Sequence, residues 1–166
     1  MRNFLALLFL SFITVTLVGC LGSDDDATTP RVCEEGLISV EEFAAADTLS
    51  YTELDDTGLL YYIEEPGTGD KAQITDSLVF AYRGAVTNGR VFDQRPVDNP
   101  LRFKLNRLIQ GWQLGIPLIA EGGKIRLLIP SELGYGERGS CNSLGQCSIC
   151  PSSDLVFDIE LIEIVD

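Results

Sequence analysis

Phe80-Ala81-Tyr82-Arg83-Gly84, followed by Asn88-Gly89-Arg90-Val91-Phe92-Asp93, is the stretch on which the reading of this chain turns. Leu78, Phe80 and Tyr82 alternate with Val79, Ala81 and Arg83, the two-residue period of a strand. Asn88-Gly89 is a two-residue hairpin signal. Val91-Phe92-Asp93 resumes the chain on the far side. A hairpin that carries several rings needs something to pack against, and the flanking sequence supplies it.

Downstream, Pro96 and Pro100 bracket an irregular stretch. Leu105, Leu108, Ile109, Trp112 and Ile116 have helical spacing, and Pro117 closes a segment of about two turns. Lys124 to Ile129 alternates as a strand. Pro130 to Cys150 is a long loop rich in Gly, Ser and Cys. Leu155 to Ile164 is the last strand, with Leu155, Phe157, Ile159 and Leu161 on one face. Upstream, Thr57 to Ile63 reads as a strand and Glu65 to Asp70 as a turn. Residues 39–47 read as a short helix that Ser39 can cap, with Glu42 three residues on. Several strands and one short central helix predict an α+β fold, an antiparallel sheet folded around that helix.

The N-terminus reads differently. Arg2 precedes an apolar run that ends in Leu17-Val18-Gly19-Cys20, the layout of a secretory signal with its cleavage site. Residues 1–19 are therefore expected to be a signal peptide. Leu-Val-Gly-Cys resembles a bacterial lipobox, which implies lipidation of Cys20 and attachment to the membrane of the cell envelope, at the outer membrane on its periplasmic or exposed side. Residues 20–35 read as a flexible acidic tether. Residues 36–55 form an extension with the short helix, and residues 56–166 form the domain. The net charge is −13, which disfavours nucleic acid as a partner.

The chain has no histidine. That excludes Ser-His and Cys-His catalysis and histidine-ligated metal sites. Of five cysteines, Cys20 is assigned to lipid. Cys33, Cys141, Cys147 and Cys150 remain, an even number suited to two disulfides in an exported chain. The pairing favoured is Cys141 with Cys147 and Cys33 with Cys150. The alternatives are a zinc site built from all four, since Cys147-x-x-Cys150 has ligand spacing, or free thiols.

Five segments in order resemble one family. The opening hairpin looks like the V-x-Y-x-G…G-x-x-F-D segment of FKBP domains. Leu108-Ile109-Gln110-Gly111-Trp112 is similar to the start of that family's central helix. Glu121-Gly122-Gly123-Lys124, then Ile129-Pro130 and Tyr135-Gly136, resembles its G-x-K…I-P…Y-G stretch. Leu155 to Leu161 looks like its closing strand. The resemblance spans about residues 56–166 and implies a sheet half-wrapped around a short helix.

It further implies a peptidyl-prolyl cis-trans isomerase acting on proline-containing polypeptides, with no cofactor or metal. A monomer is expected. The implied catalytic residues are Tyr82, Phe92, Asp93, Trp112, Tyr135 and Phe157. The implied substrate-binding residues are Phe103, Leu108, Ile109 and Ile149, with the Ile109 N–H donating to a substrate carbonyl. The alternative function is a non-catalytic chaperone or peptide-binding module on the same fold. Leu101 and Leu133 depart from the family's usual aromatics, and the loop after Tyr135 is long and holds three cysteines.

Overall fold

The computed structural model describes Cys33 and residues 37–165. The expected signal peptide, the expected lipidation site Cys20 and most of the expected tether lie outside the described residues. The strands are β1 (Thr52–Glu53), β2 (Leu60–Glu65), β3 (Ser77–Val86), β4 (Val91–Arg95), β5 (Leu101–Lys104), β6 (Lys124–Ile129), β7 (Ser140–Cys141), β8 (Cys147–Ile149) and β9 (Leu155–Val165). The helices are α1 (Val40–Ala46) and α2 (Gln110–Gly115). One antiparallel sheet runs β1-β2-β6-β9-β3-β4, and β5 also pairs with β3. The fold is α+β and FKBP-like. Among the described residues no helix is long and apolar enough to cross a membrane.

Alternation sets the two faces. Leu155, Phe157, Ile159 and Leu161 on β9, with Ile125, Leu127 and Ile129 on β6, enter the main core with Trp112 and Ile116. α2 lies close against β6 because Gly111 and Gly115 face it. A Cβ at Gly111 would sit 2.5 Å from Ile129 Cγ2, and one at Gly115 2.6 Å from Leu127 Cδ1. Two glycines four apart share a helix face, so this contact fixes the face on which Trp112 projects.

The other face of the sheet carries α1. Ser39 and Glu42 form a full capping box, Oγ accepting from the Glu42 N–H and the Glu42 carboxylate accepting from the Ser39 N–H. Val40 packs with Leu128 and Val156. Asp154 accepts from both the Val40 and Ser131 N–H groups, at 3.0 and 2.9 Å, which ties α1 to the loop after β6. At the far end, Asp47 accepts from the Tyr51 hydroxyl at 2.6 Å and pairs with Arg126 at 3.2 Å.

Three local expectations need correction. The strand expected from Thr57 begins at Leu60, because Asp55, Asp56 and Gly58 take positive φ and turn the chain back from β1. The Asn88-Gly89 hairpin is a three-residue loop rather than a two-residue one. Only Gly89 has positive φ there, whereas a type I′ turn requires it at both central residues; the Val86 N–H donates to Arg90 O around it. The segment Leu105 to Ile116 is not one helix. A single 3-10 turn (Leu105–Arg107) precedes α2, and Leu108 and Ile109 between them are extended. The Leu108 carbonyl accepts from the Gln113 side chain at 2.7 Å instead of continuing a helical ladder.

The cysteines pair as Cys33–Cys150 and Cys141–Cys147. Bridge formation consumes the thiolates that the zinc alternative requires. The first bridge joins the chain ahead of α1 to the end of the long loop. The second closes β7 onto β8.

Candidate active site

Three strands and α2 bring the rings together. Phe80 and Tyr82 share one face of β3. Phe157 lies on β9 opposite Gly84, and Phe92 comes from β4. A Cβ at Gly84 would lie 2.6 Å from Phe157 and 2.8 Å from Phe92, so glycine is what lets these two rings meet. Trp112 is 4% exposed and stands at the centre. Its ring centroid lies 4.8 Å from Phe80, 5.4 Å from Tyr82 and 5.2 Å from Phe157, each edge to face. Phe92 meets Phe157 at 5.5 Å in the same way. Edge-to-face pairs of this kind add about 0.5–1.5 kcal/mol each beyond burial.

These residues line a hollow of about 90 Å³ with Asp93, Leu101, Leu108, Ile109 and Tyr135. That is the scale of one small side chain, well below the roughly 300–1,000 Å³ of sites for larger ligands. A hollow of about 580 Å³ lies elsewhere, lined by Tyr62, Glu64, Lys124, Arg126, Asp158 and Glu160 among others. Within it Arg126 bonds Asp158 at 2.5 Å, and Lys124 bonds Glu65 beside it at 2.9 Å.

The rim of the small hollow is polar. The Tyr82 hydroxyl donates to Asp93 Oδ2 at 2.5 Å, and the Gln94 N–H donates to Asp93 Oδ1 at 2.9 Å. Burial, reinforced by the bond to Asp93, pushes the Tyr82 hydroxyl far above its usual pKa. Burial, then the Asp93 charge, raises Tyr135 as well. Both phenols therefore keep their protons at neutral pH. Ile109 caps α2 in an extended conformation, its carbonyl accepting from the Trp112 and Gln113 N–H groups. Its own N–H has no protein acceptor among the described residues.

Eight of the ten residues expected at the pocket line it: Tyr82, Phe92, Asp93, Leu108, Ile109, Trp112, Tyr135 and Phe157. Phe103 does not. It lies two residues further along β5, opposite Leu78, and is 41% exposed. Leu101, which the sequence reading noted only as a departure, holds the β5 position at the hollow. Ile149 does not line it either. It sits on β8, 2% exposed and part of the main core. Phe80 lines the hollow and was missed, although its alternation with Tyr82 placed both on one face. Of the loop after β6, Tyr135 reaches the hollow and no cysteine does, so the bridged segment does not plug it.

Comparisons with known proteins bear on the family and the fold. The family model of FKBP-type peptidyl-prolyl cis-trans isomerases matches residues 69–162. A probable FKBP-type peptidyl-prolyl cis-trans isomerase of Haemophilus influenzae is 36% identical over 156 residues, 93% of this chain and 61% of that protein. The FKBP-type isomerase FkpA of Escherichia coli is 40% identical over 109 residues, 65% of this chain and 38% of that protein. The crystal structure of a peptidyl-prolyl cis-trans isomerase from Pseudomonas syringae pv. tomato superposes with a TM-score of 0.65 at 33% identity, covering 76% of this chain and 91% of that one. The chain thus spans less than two thirds of the length of either curated relative.

Proposed function

The chain belongs to the FKBP-type peptidyl-prolyl cis-trans isomerase family, and on that premise we propose that the Trp112 hollow catalyses rotation about X-Pro bonds in polypeptide clients. The observation that carries the reading is the convergence of Phe80, Tyr82, Phe92 and Phe157 around Trp112, under a rim where the Tyr135 hydroxyl and the Ile109 N–H have no acceptor among the described residues.

The amide before proline resists rotation with a barrier of about 18–20 kcal/mol, because resonance moves charge onto its oxygen. Twisting the bond removes that charge separation. A dry apolar wall disfavours the planar, charge-separated amide relative to the twisted one. The rings grip the proline while the Ile109 N–H holds a carbonyl. Tyr135 donates a second hydrogen bond. Asp93 spends its carboxylate on Tyr82 and the Gln94 amide and so fixes the rim. No covalent bond breaks, so the residues present suffice without a nucleophile. Lowering the barrier by about 5–7 kcal/mol accelerates rotation roughly 10⁴–10⁵-fold.

A protease-coupled proline-peptide assay tests this. The expected result is acceleration that a macrolide pocket inhibitor abolishes. An uncatalysed rate, with aggregation suppression retained, would instead assign the protein the non-catalytic chaperone role.

The proposal extends to location. The signal-like residues 1–19 and Leu17-Val18-Gly19-Cys20 support an enzyme held at the cell envelope by lipid on Cys20. Two disulfides suit an oxidising compartment. Metabolic labelling with radioactive palmitate is expected to mark the wild-type protein and to leave Cys20→Ala unmarked; an unlabelled wild-type protein would remove the anchor.

A further inference from the structure

β5 runs out of the hollow into a different chemistry. Leu101 lines the hollow, and the next residues, with the turn that follows, form a surface depression of about 390 Å³ lined by Ser77, Arg102, Phe103, Lys104 and Arg107. The chain has 25 acidic and 12 basic residues. Three of those twelve cations fall within residues 102–107. None has an ion-pair partner among the described residues, although elsewhere Arg83 and Lys124 have one each and Arg126 has two. Phe103 lies exposed among them. Among the described residues β5 pairs with β3 alone, so its other edge can receive an extended segment.

We propose that this depression is a specificity subsite that selects clients carrying acidic residues beside the target proline, laid extended along the edge of β5. The inference rests on the isomerase reading of the hollow. The two sites are contiguous on both sides, through Leu101 into Arg102 and through Leu108 back to Arg107. At about 3.4 Å per residue, Phe103 and Lys104 lie about 7–10 Å from Leu101 along the strand. An acidic side chain two or three residues from the proline therefore reaches the cations. In a chain so acidic overall, such a patch is where an anionic segment meets attraction rather than repulsion. An anionic lipid surface is the poorer occupant, because the rest of the protein would be repelled as it approached.

The test compares otherwise identical proline peptides that carry Asp, Ala or Lys two and three positions from the proline, on either side. In the wild-type protein the Asp peptides on one side are expected to exceed the Lys peptides in kcat/KM by about 5–10-fold at low salt. The preference is expected to vanish near 1 M salt, where the Debye length is about 3 Å. Arg102→Gln/Lys104→Gln/Arg107→Gln is expected to abolish the preference, and Lys104→Glu to shift it towards the Lys peptides. The Ala peptide reads the hollow alone. If it is not isomerised but Asp peptides still bind preferentially by chemical-shift titration, catalysis falls and the subsite stands. Equal rates for Asp and Lys peptides, or a preference that survives the triple substitution, would overturn the proposal and leave the cations as protection of an open strand edge. So would cation-dependent binding of phosphatidylserine vesicles with no peptide preference.

Discussion

The two disulfides close loops of very different length, and their removal should cost accordingly. Cys33 and Cys150 are 117 residues apart, Cys141 and Cys147 only six. A cross-link stabilises mainly by restricting the unfolded chain, by an amount that grows with the logarithm of the loop. That relation gives about 5 kcal/mol for the long bridge and about 2 kcal/mol for the short one at 25 °C. Packing does not obscure the contrast, since Cys33 is exposed and an alanine at Cys150 removes only one buried sulfur. The variants are Cys33→Ala/Cys150→Ala and Cys141→Ala/Cys147→Ala. Urea unfolding followed by tryptophan emission suits the measurement, because Trp112 is the only tryptophan and is buried. With a urea slope of about 2 kcal/mol/M, the midpoints should fall by about 2.5 M and about 1 M. Equal shifts, or a larger loss from the short bridge, would refute the chain-constraint argument and assign the stabilisation to packing within the loop.

Gly84→Ala forces a Cβ to within 2.8 Å of both Phe157 and Phe92; it should destabilise by about 1–3 kcal/mol, as overpacking does, and lower the isomerisation rate, with thermal unfolding and the peptide assay as readouts. Tyr135→Phe removes a donor that the proposed mechanism directs at the substrate and should reduce kcat/KM about 2–10-fold without moving the unfolding midpoint; an unchanged rate would take Tyr135 out of the mechanism. Asp93→Val frees the Tyr82 hydroxyl and should also slow the peptide assay by several-fold. The Tyr51 hydroxyl, helped by backbone amides and Arg126, holds the Asp47 carboxyl below its ordinary value of 3.8. The stabilisation is therefore complete above that value and is lost as pH falls through the lower folded one. Asp154, raised by burial, acts in the opposite sense, so the difference between wild type and Asp47→Asn in acid unfolding isolates the Asp47 contribution.

Where one periodicity and one physical cause coincided, the fold was legible from sequence. β6 and β9 alternate because one face of each meets the main core, and Leu128 and Val156 interrupt the pattern only where α1 covers the other face. The Ser39–Glu42 capping box is a purely local motif. The central helix misled because Leu105, Leu108, Ile109 and Trp112 keep helical spacing while the backbone is extended at Leu108 and Ile109. The Gln113 side chain, a partner the pattern does not reveal, holds the Leu108 carbonyl. The site was misread at β5, where Leu101 and Phe103 share a face and only position along the strand decides which meets Trp112. Ile149 was placed at the hollow by resemblance, yet the bridged loop around it carries it into the core. The close approach of Phe92 to Phe157 depends on Gly84, whose missing side chain leaves no mark in any hydropathy pattern.

The link between Cys33 and Cys150 also makes the domain a mechanical short circuit. Tension arriving along the chain ahead of Cys33 passes through the bridge to Cys150, five residues before Leu155, and so enters β9. That strand is held by β6 on one side and β3 on the other. The seven-residue α1, which a pull would otherwise peel away first, is bypassed. So are the 117 residues spanned by the bridge, about 400 Å of contour that cannot lengthen until a covalent bond is cut.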